Sequence, residues 1–307
     1  PSPGDTPVTA EQERRLGTIN AGTRWNRIAG RHSLRAGGDI WRYPVREYFR
    51  FAQTSPVQTP WETFRGQNTG SMYAGFFQDS IRLPGNLQLT LGLRYDNYRF
   101  LYTGDQWQPR LGLAWHIPST GTVLRVSYNR TYQTPPNENL LLSNTGPIRI
   151  RPERQNVYEA GLQQAMGRRL SLNTAIYHKN SRDMQDNDNF LNTGIIFPIT
   201  LAQSRTNGAE ARLSILPMRG LSGSLSFTHI RTIVTPPFSG GLFQGSDPVA
   251  VFGTQPFVID HDQPVSLHGL VHYGDGSVLA TTTTDASGGY ALNGVREGRV
   301  TLSATRT

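Results

Sequence analysis

Few residues of this 307-residue chain have the types and spacing that catalysis or metal binding requires. The segment Asp260-His261-Asp262 combines a general base with orienting carboxylates, and its side chains are also metal-ligand types. The preferred interpretation is a polar strand-entry segment whose side chains fix a loop. His268 and His272 are four residues apart, the spacing that joins two metal ligands on a helix, but the residues around them have the pattern of a strand.

Three aspartates, Asp183, Asp186 and Asp188, lie in an asparagine-rich stretch and carry oxygen ligands that calcium accepts. Their spacing differs from that of the twelve-residue calcium loop, so a solvated loop is the preferred interpretation. The sequence contains no glycine-rich phosphate loop and no nucleophile elbow. We therefore expect a protein that is not an enzyme, with no catalytic residues, bound cofactor or metal.

The net charge of +8 is carried almost wholly by arginine, since Lys179 is the only lysine. The arginines are spread over strand positions and loop ends and do not form a patch with interleaved aromatics, which argues against a nucleic-acid partner. The absence of cysteine excludes disulfides and thiolate metal sites.

The elements that position these side chains are strands. Residues 87–95 place leucines and Tyr95 on one parity and polar residues on the other, the period of a strand with one apolar and one wet face. The same alternation recurs in 110–116 and 124–128. Arg94, Arg110 and Arg125 all take the polar parity. The apolar parity therefore suits an environment drier than water.

Short turns and long loops alternate five times along about eleven predicted strands. Loops are predicted at 44–70, 131–154, 180–206 and 232–262. The sequence contains no run of about 18 apolar residues, so no membrane helix is predicted. Short turns at one end and long loops at the other are typical of an outer-membrane barrel, in which a lipid-facing charge costs about 2–4 kcal/mol. The fold class is therefore all-β, an antiparallel up-and-down transmembrane β-barrel segment. Aromatics near the strand ends suit interfacial girdles, or else cross-strand packing: Tyr95, Tyr98, Trp115, Tyr128, Tyr132 and Tyr177.

Several segments in this order resemble the barrel of TonB-dependent outer-membrane receptors. They are 73–80, 87–96 with its Leu-Gly-Leu-Arg-Tyr-Asp ending, 108–115, 131–136, 151–154, 158–162, 207–210 and 260–263. The resemblance implies a plugged barrel in the outer membrane of a Gram-negative bacterium. It also implies import of a scarce nutrient, such as a ferric chelate or glycan, with the TonB energy-transducing complex as partner through a missing N-terminal part. A complete barrel of 22 strands needs well over about 450 residues, so we expect part of a receptor.

The end of the chain resembles a different module. The segments 276–284, Asp285-Ala286-Ser287-Gly288-Gly289 and 298–302 are similar to a carboxypeptidase-regulatory-like module, a small prealbumin-like β-sandwich. The expected domains are a disordered segment or loop end at 1–16, barrel strands at 17–265 and this module at 266–307. A barrel hairpin with chance similarity is the alternative for the tail.

The candidate ligand residues are four arginines of the barrel lumen: Arg94, Arg110, Arg125 and Arg212. Their hypothetical role is a positive field that attracts an anionic cargo. The preferred alternative is that they pair with lumen carboxylates such as Asp96, Glu159 and Glu210. Two other functions remain open at this point: an outer-membrane or surface β protein that binds or adheres without transport, and a soluble β-rich carbohydrate-binding protein.

Overall fold

The described part of the chain forms one antiparallel sheet of fourteen strands. A computed structural model describes residues 7–55, 57–100, 102–135, 150–189, 195–218, 221–240, 253–259, 264–273 and 277–283. The strands are β1 (Val8–Leu16), β2 (Ile19–Ala29), β3 (His32–Gln53), β4 (Glu62–Leu83), β5 (Leu87–Arg99), β6 (Thr103–Ile117), β7 (Thr122–Gln133), β8 (Glu153–Met166), β9 (Leu170–Asn189), β10 (Ile196–Met218), β11 (Leu221–Gly240), β12 (Phe257–Val258), β13 (Ser266–Tyr273) and β14 (Ser277–Thr283). The described residues form no helix, which confirms the all-β class.

Strands pair in the order in which the chain makes them. The sheet runs β1-β3-β4-β5-β6-β7-β8-β9-β10-β11-β13-β14, with β2 also on β3 and β12 on β11. β1 pairs with the second half of β3 and β2 with its first half, so the two short strands together occupy one position in the sheet. This is the up-and-down order that the sequence predicts.

Tight turns lie at one end of the sheet, called the turn end here. The β2–β3, β4–β5, β6–β7 and β8–β9 turns each contain residues with positive φ, which glycine and asparagine adopt most readily. These residues are Gly30, Gly85, Asn86, Gly121 and Gly167. The opposite end, called the loop end, has connections at 54–61, 100–102, 134–152, 190–195 and 241–265.

The strands extend further toward the loop end than predicted: two expected loops are mostly strand, and a third begins as strand. The predicted loop 44–70 contains the end of β3 and the start of β4, paired from Tyr43–Gly70 to Phe51–Glu62. Most of 180–206 belongs to β9 and β10, and β11 continues to Gly240. These extensions lack the leucine alternation of the strand halves near the turn end, because both of their faces carry polar residues.

The first sixteen residues are not all loop. Val8–Leu16, expected within a disordered segment or loop end, form β1 and pair with Val45–Gln53. The alternation was hidden because Glu11 and Glu13 on one face alternate with Gln12 and Arg14 on the other. The register with β3, rather than an apolar face, defines this strand.

The two faces of the sheet differ in chemistry. Cross-strand register places Leu91, Leu111 and Tyr128 on one face, where apolar side chains are largely exposed. We call this the outer face. The inner face carries the polar parity. It is concave, because Ile195, the residue before β10, packs against Phe49 of β3, although β10 and β3 are seven positions apart in the sheet. A second inner-face cluster joins Leu201, Val234 and Phe238 near the loop end.

The end of the described chain continues the same sheet. β13 pairs with β11 and β14 pairs with β13, so 266–273 and 277–283 extend the wall of the predicted barrel. Residues 284–307 lie outside the described residues, and the regulatory-like module at 266–307 therefore stays a prediction.

Candidate functional site

An arginine-rich cavity lies on the inner face between β2 and β6. Its volume is about 350 Å³, and four of its lining side chains are arginines: Arg24, Arg35, Arg94 and Arg110. They come from β2, β3, β5 and β6, which the sheet places near one another. The side chains of Asn26, Phe76 and Gln78 complete much of the lining.

Arg24 is fixed by an ion pair and by an aromatic ring. Its Nη2 lies 2.8 Å from Oδ1 of Asp39, and its guanidinium carbon is 5.2 Å from the ring centre of Phe76. Glycines allow this close approach. A Cβ on Gly37 would lie 2.7 Å from the Phe76 ring and 2.5 Å from the Thr23 carbonyl oxygen, and one on Gly22 would lie 2.4 Å from Asp39.

Arg94 forms a two-pronged ion pair with Asp96. Its Nε and Nη2 donate to the two carboxylate oxygens at 2.8 and 2.7 Å. Asp96 is only 2% exposed, and the side-chain amide of Gln108 also donates to it. This pairing satisfies the buried carboxylate and holds Arg94 in place, since charge-assisted two-pronged bonds are among the strongest hydrogen bonds in proteins.

The unpaired charges of Arg35 and Arg110 give the cavity a net positive charge. Both side chains are exposed on the inner face, and neither forms an ion pair within the described ranges. The four guanidinium groups are therefore opposed by two carboxylates, those of Asp39 and Asp96. Such a cavity can bind the carboxylate or phosphate groups of an anion, because a free guanidinium presents paired donors to them.

The other two predicted arginines lie on the same face outside this cavity. Arg125 Nε is 3.3 Å from Oε1 of Glu159, and its Nη1 donates to Asn173 at 3.0 Å. Arg212 donates to the Ser224 hydroxyl at 3.2 Å. The structure thus brings together Arg94 and Arg110 and leaves Arg125 and Arg212 apart from them.

The alternative of internal pairing applies to half of the predicted arginines. Arg94 pairs with Asp96 and Arg125 with Glu159, as that alternative expects. Glu210 forms no ion pair among the described residues. Sequence reasoning missed Arg24 and Arg35, although both stand on the polar parity of strands that were predicted.

Side chains of metal-ligand types do not cluster in the described ranges. No group of three or more His, Asp or Glu side chains there is arranged to hold a metal ion. Asp260-His261-Asp262 and the side chains of Asp188 and His272 lie outside what the structure describes, so the interpretations placed on them stay predictions. Across the same ranges, no helix is long and apolar enough to cross a membrane.

Two expected girdle residues face the other way. Tyr98 is on the inner face and only 1% exposed, and Tyr177 covers Gly208 on that face. The outer-face aromatics also form contacts across strands. Tyr95 lies 4.7 Å from Trp107 and Tyr128 lies 5.1 Å from Tyr158, centre to centre.

An up-and-down sheet with an exposed apolar outer face and a charged concave inner face is the wall of a membrane β-barrel. Comparison with family models gives the same class. Residues 3–305 match the model described as TonB dependent receptor-like, beta-barrel, and the chain belongs to this family.

Solved structures of similar fold include receptors and a transporter. The siderophore receptor PiuA from Acinetobacter baumannii is 14% identical with a TM-score of 0.61, over 89% of this chain and 46% of that one. The ferric yersiniabactin uptake receptor FyuA from Yersinia pestis is 13% identical with a TM-score of 0.59, over 90% and 42%. The copper transporter OprC is 15% identical with a TM-score of 0.58, over 90% and 43%.

These likenesses show the fold alone, because the identities are low. The chain spans less than half the length of the solved structures it matches. A search of curated protein sequences gives no match.

Proposed function

We propose that this chain is part of the barrel of an outer-membrane receptor that imports a scarce nutrient in a TonB-dependent manner. The arginine-lined cavity attracts an anionic cargo, such as a ferric chelate or an acidic glycan. The observation that carries this proposal is the charge of the cavity, in which four guanidiniums face two carboxylates.

The cavity geometry favours capture of an anion. A cleft lined by one sign of charge and flanked by low-dielectric walls focuses the field and raises the encounter rate about 10- to 1,000-fold. Arg24 and Arg94 are held by Asp39 and Asp96 and form a fixed floor. Arg35 and Arg110 have no such partner among the described residues and are free to contact a ligand.

The outer face and the family support the proposed location and partners. Exposed leucines on a barrel wall bury their surface in lipid, which we propose to be the outer membrane of a Gram-negative cell. The TonB complex would act through the N-terminal plug that the resemblance to TonB-dependent receptors implies. The TonB complex supplies the energy that releases bound cargo inward.

The soluble carbohydrate-binding alternative fits the outer face poorly. A sandwich would bury the apolar parity, yet Leu93 is 44% exposed and Val126 is 54% exposed. An adhesin without transport would have the same wall, and an uptake measurement separates it from a receptor.

The test uses the full-length receptor that contains this chain, with Arg35→Gln and Arg110→Gln combined. A panel of radiolabelled anionic and neutral ferric chelates and acidic oligosaccharides is offered to cells and to purified receptor. We expect the association rate of an anionic cargo to fall about tenfold or more. The matched control combines Arg168→Gln and Arg169→Gln at the turn end, with the same loss of charge. Anion binding that is unchanged when Arg24, Arg35, Arg94 and Arg110 are all neutralised excludes the steering role, and binding without uptake indicates an adhesin.

A further inference from the structure

The outer face changes character between the turn end and the loop end. From β5 to β11, outer-face positions between the aromatic residues and the turns carry no charged side chain in the described chain. Tyr95, Trp107, Tyr128 and Tyr158 follow at the loop-end side of this apolar band. Aromatic residues in this position mark the boundary between lipid tails and headgroups.

Beyond the aromatic residues, arginines form a row across five consecutive strands, β7 to β11. We call these residues the arginine row: Arg130, Arg154, Arg182, Arg205 and Arg231. Each lies two to four residues closer to the loop end than Tyr128, Tyr158, His178, Ala209 and Phe227, respectively. Four residues of a strand span about 13 Å, so the row lies at the depth of headgroups.

The register makes neighbours of these arginines. Arg154 and Arg182 are directly opposite each other on β8 and β9. Arg130 pairs with Asn156, two residues from Arg154 on the same face. In the same way Arg205 lies diagonal to Arg182, and Arg231 lies diagonal to Arg205. Opposite positions bring side chains within about 5 Å, and like charges there repel.

The protein itself does little to balance this charge. None of the five arginines forms an ion pair in the part of the chain that the structure describes. The Asp183 carboxyl interacts electrostatically with Arg154 and Arg182 but forms an ion pair with neither.

We propose that the arginine row binds the phosphate groups of anionic lipids in the outer leaflet of the surrounding membrane. A phosphate accepts several hydrogen bonds and neutralises opposing guanidiniums, which explains why five strands carry like charge on one line. The occupant is a lipid rather than a soluble anion, because the row directly adjoins the apolar band. This inference rests on the proposed position of the chain in the outer membrane.

The test measures lipid binding by the full-length receptor in dodecyl maltoside micelles. Fluorescent bisphosphorylated lipid A is titrated into the wild type and into the triple variant Arg154→Gln, Arg182→Gln, Arg205→Gln. Each basic residue near an anionic surface contributes about a fivefold gain in affinity, so we expect about a hundredfold weaker binding. The same lipid without its phosphates should bind the wild type as weakly as the intact lipid binds the variant.

The control variant combines Arg27→Gln, Arg168→Gln and Arg169→Gln, which remove the same charge near the turn end. It should bind like the wild type. Salt dependence provides a readout without mutation, since rising ionic strength should weaken wild-type binding steeply. Equal affinity for the phosphorylated and dephosphorylated lipid, or equal losses in both triple variants, overturns the proposal. Such a result would leave the membrane location intact, because insertion of the outer face into lipid is measured separately by the Val126 and Ser127 variants below.

Discussion

Two adjacent residues of β7 distinguish a lipid-facing wall from a water-exposed one. Val126 is on the outer face, between Leu113 and Ala160 of the neighbouring strands. Ser127 is on the inner face, between Gly112 and Glu159. The substitutions Val126→Arg and Ser127→Arg therefore introduce the same side chain one residue apart, on opposite faces of the sheet.

The magnitudes follow from the surroundings of each position. An arginine that faces lipid near the middle of the bilayer costs about 2–4 kcal/mol. That cost corresponds to roughly a 30- to 1,000-fold change in the folding equilibrium. An arginine at 127 lies directly opposite Glu159, and an opposite-charge cross-strand pair contributes about 0.2–1 kcal/mol in its favour. In a soluble protein, substitution at the half-exposed Val126 would change stability by only about 0.5 kcal/mol.

The assay is urea titration of the full-length receptor folded into phosphatidylcholine vesicles. Folded protein is followed by tryptophan fluorescence and by the gel mobility of unheated samples. We expect Val126→Arg to lower the free energy of unfolding by about 2 kcal/mol or more and Ser127→Arg to leave it nearly unchanged. Equal, small effects of the two substitutions would refute the assignment of the outer face to lipid.

Two further predictions concern the candidate site. Asp96→Asn should lower the free energy of unfolding by about 3 kcal/mol, because the substitution leaves Arg94 without its partner in a largely buried position. Paired urea titrations of Asp96→Asn and Asp96→Glu measure this loss. No loss in Asp96→Asn would show that the ion pair does not stabilise the wall. Gly37→Ala should lower the free energy of unfolding by about 1–3 kcal/mol, since the added Cβ would meet a backbone oxygen at 2.5 Å. Gly112→Ala, whose Cβ has its nearest contact at 3.7 Å, should be neutral or slightly stabilising. Equal thermal unfolding of the two alanine variants would contradict the close packing around Arg24.

The strands that were predicted well are those whose outer face meets an apolar environment. In β5, β6 and β7 leucines recur at every second residue, so the alternation alone locates the strand and its polar parity. β1 was missed because Glu11 and Gln12 put polar residues on both faces. The loop-end halves of β3, β4, β9 and β10 were missed for the same reason, since their backbone pairing is set by the neighbouring strand.

The candidate site was predicted in part. Parity places Arg94, Arg110, Arg125 and Arg212 on the inner face, and the structure agrees. Parity gives no information on which inner-face residues become neighbours, because that depends on the stagger of each pair of strands. Arg24 and Arg35 join Arg94 only through the β2–β3, β3–β4 and β4–β5 registers. The alternation of short turns and long loops fails in one place: at the loop end, β5 and β6 are joined by residues 100–102 alone.

The most direct test of the central claim is mass spectrometry of the native protein from fractionated source cells, with both intact mass and compartment recorded. The proposed function predicts peptides of 1–307 in the outer-membrane fraction, within a polypeptide of well over about 450 residues. A 34.1-kDa species in the soluble fraction would contradict it.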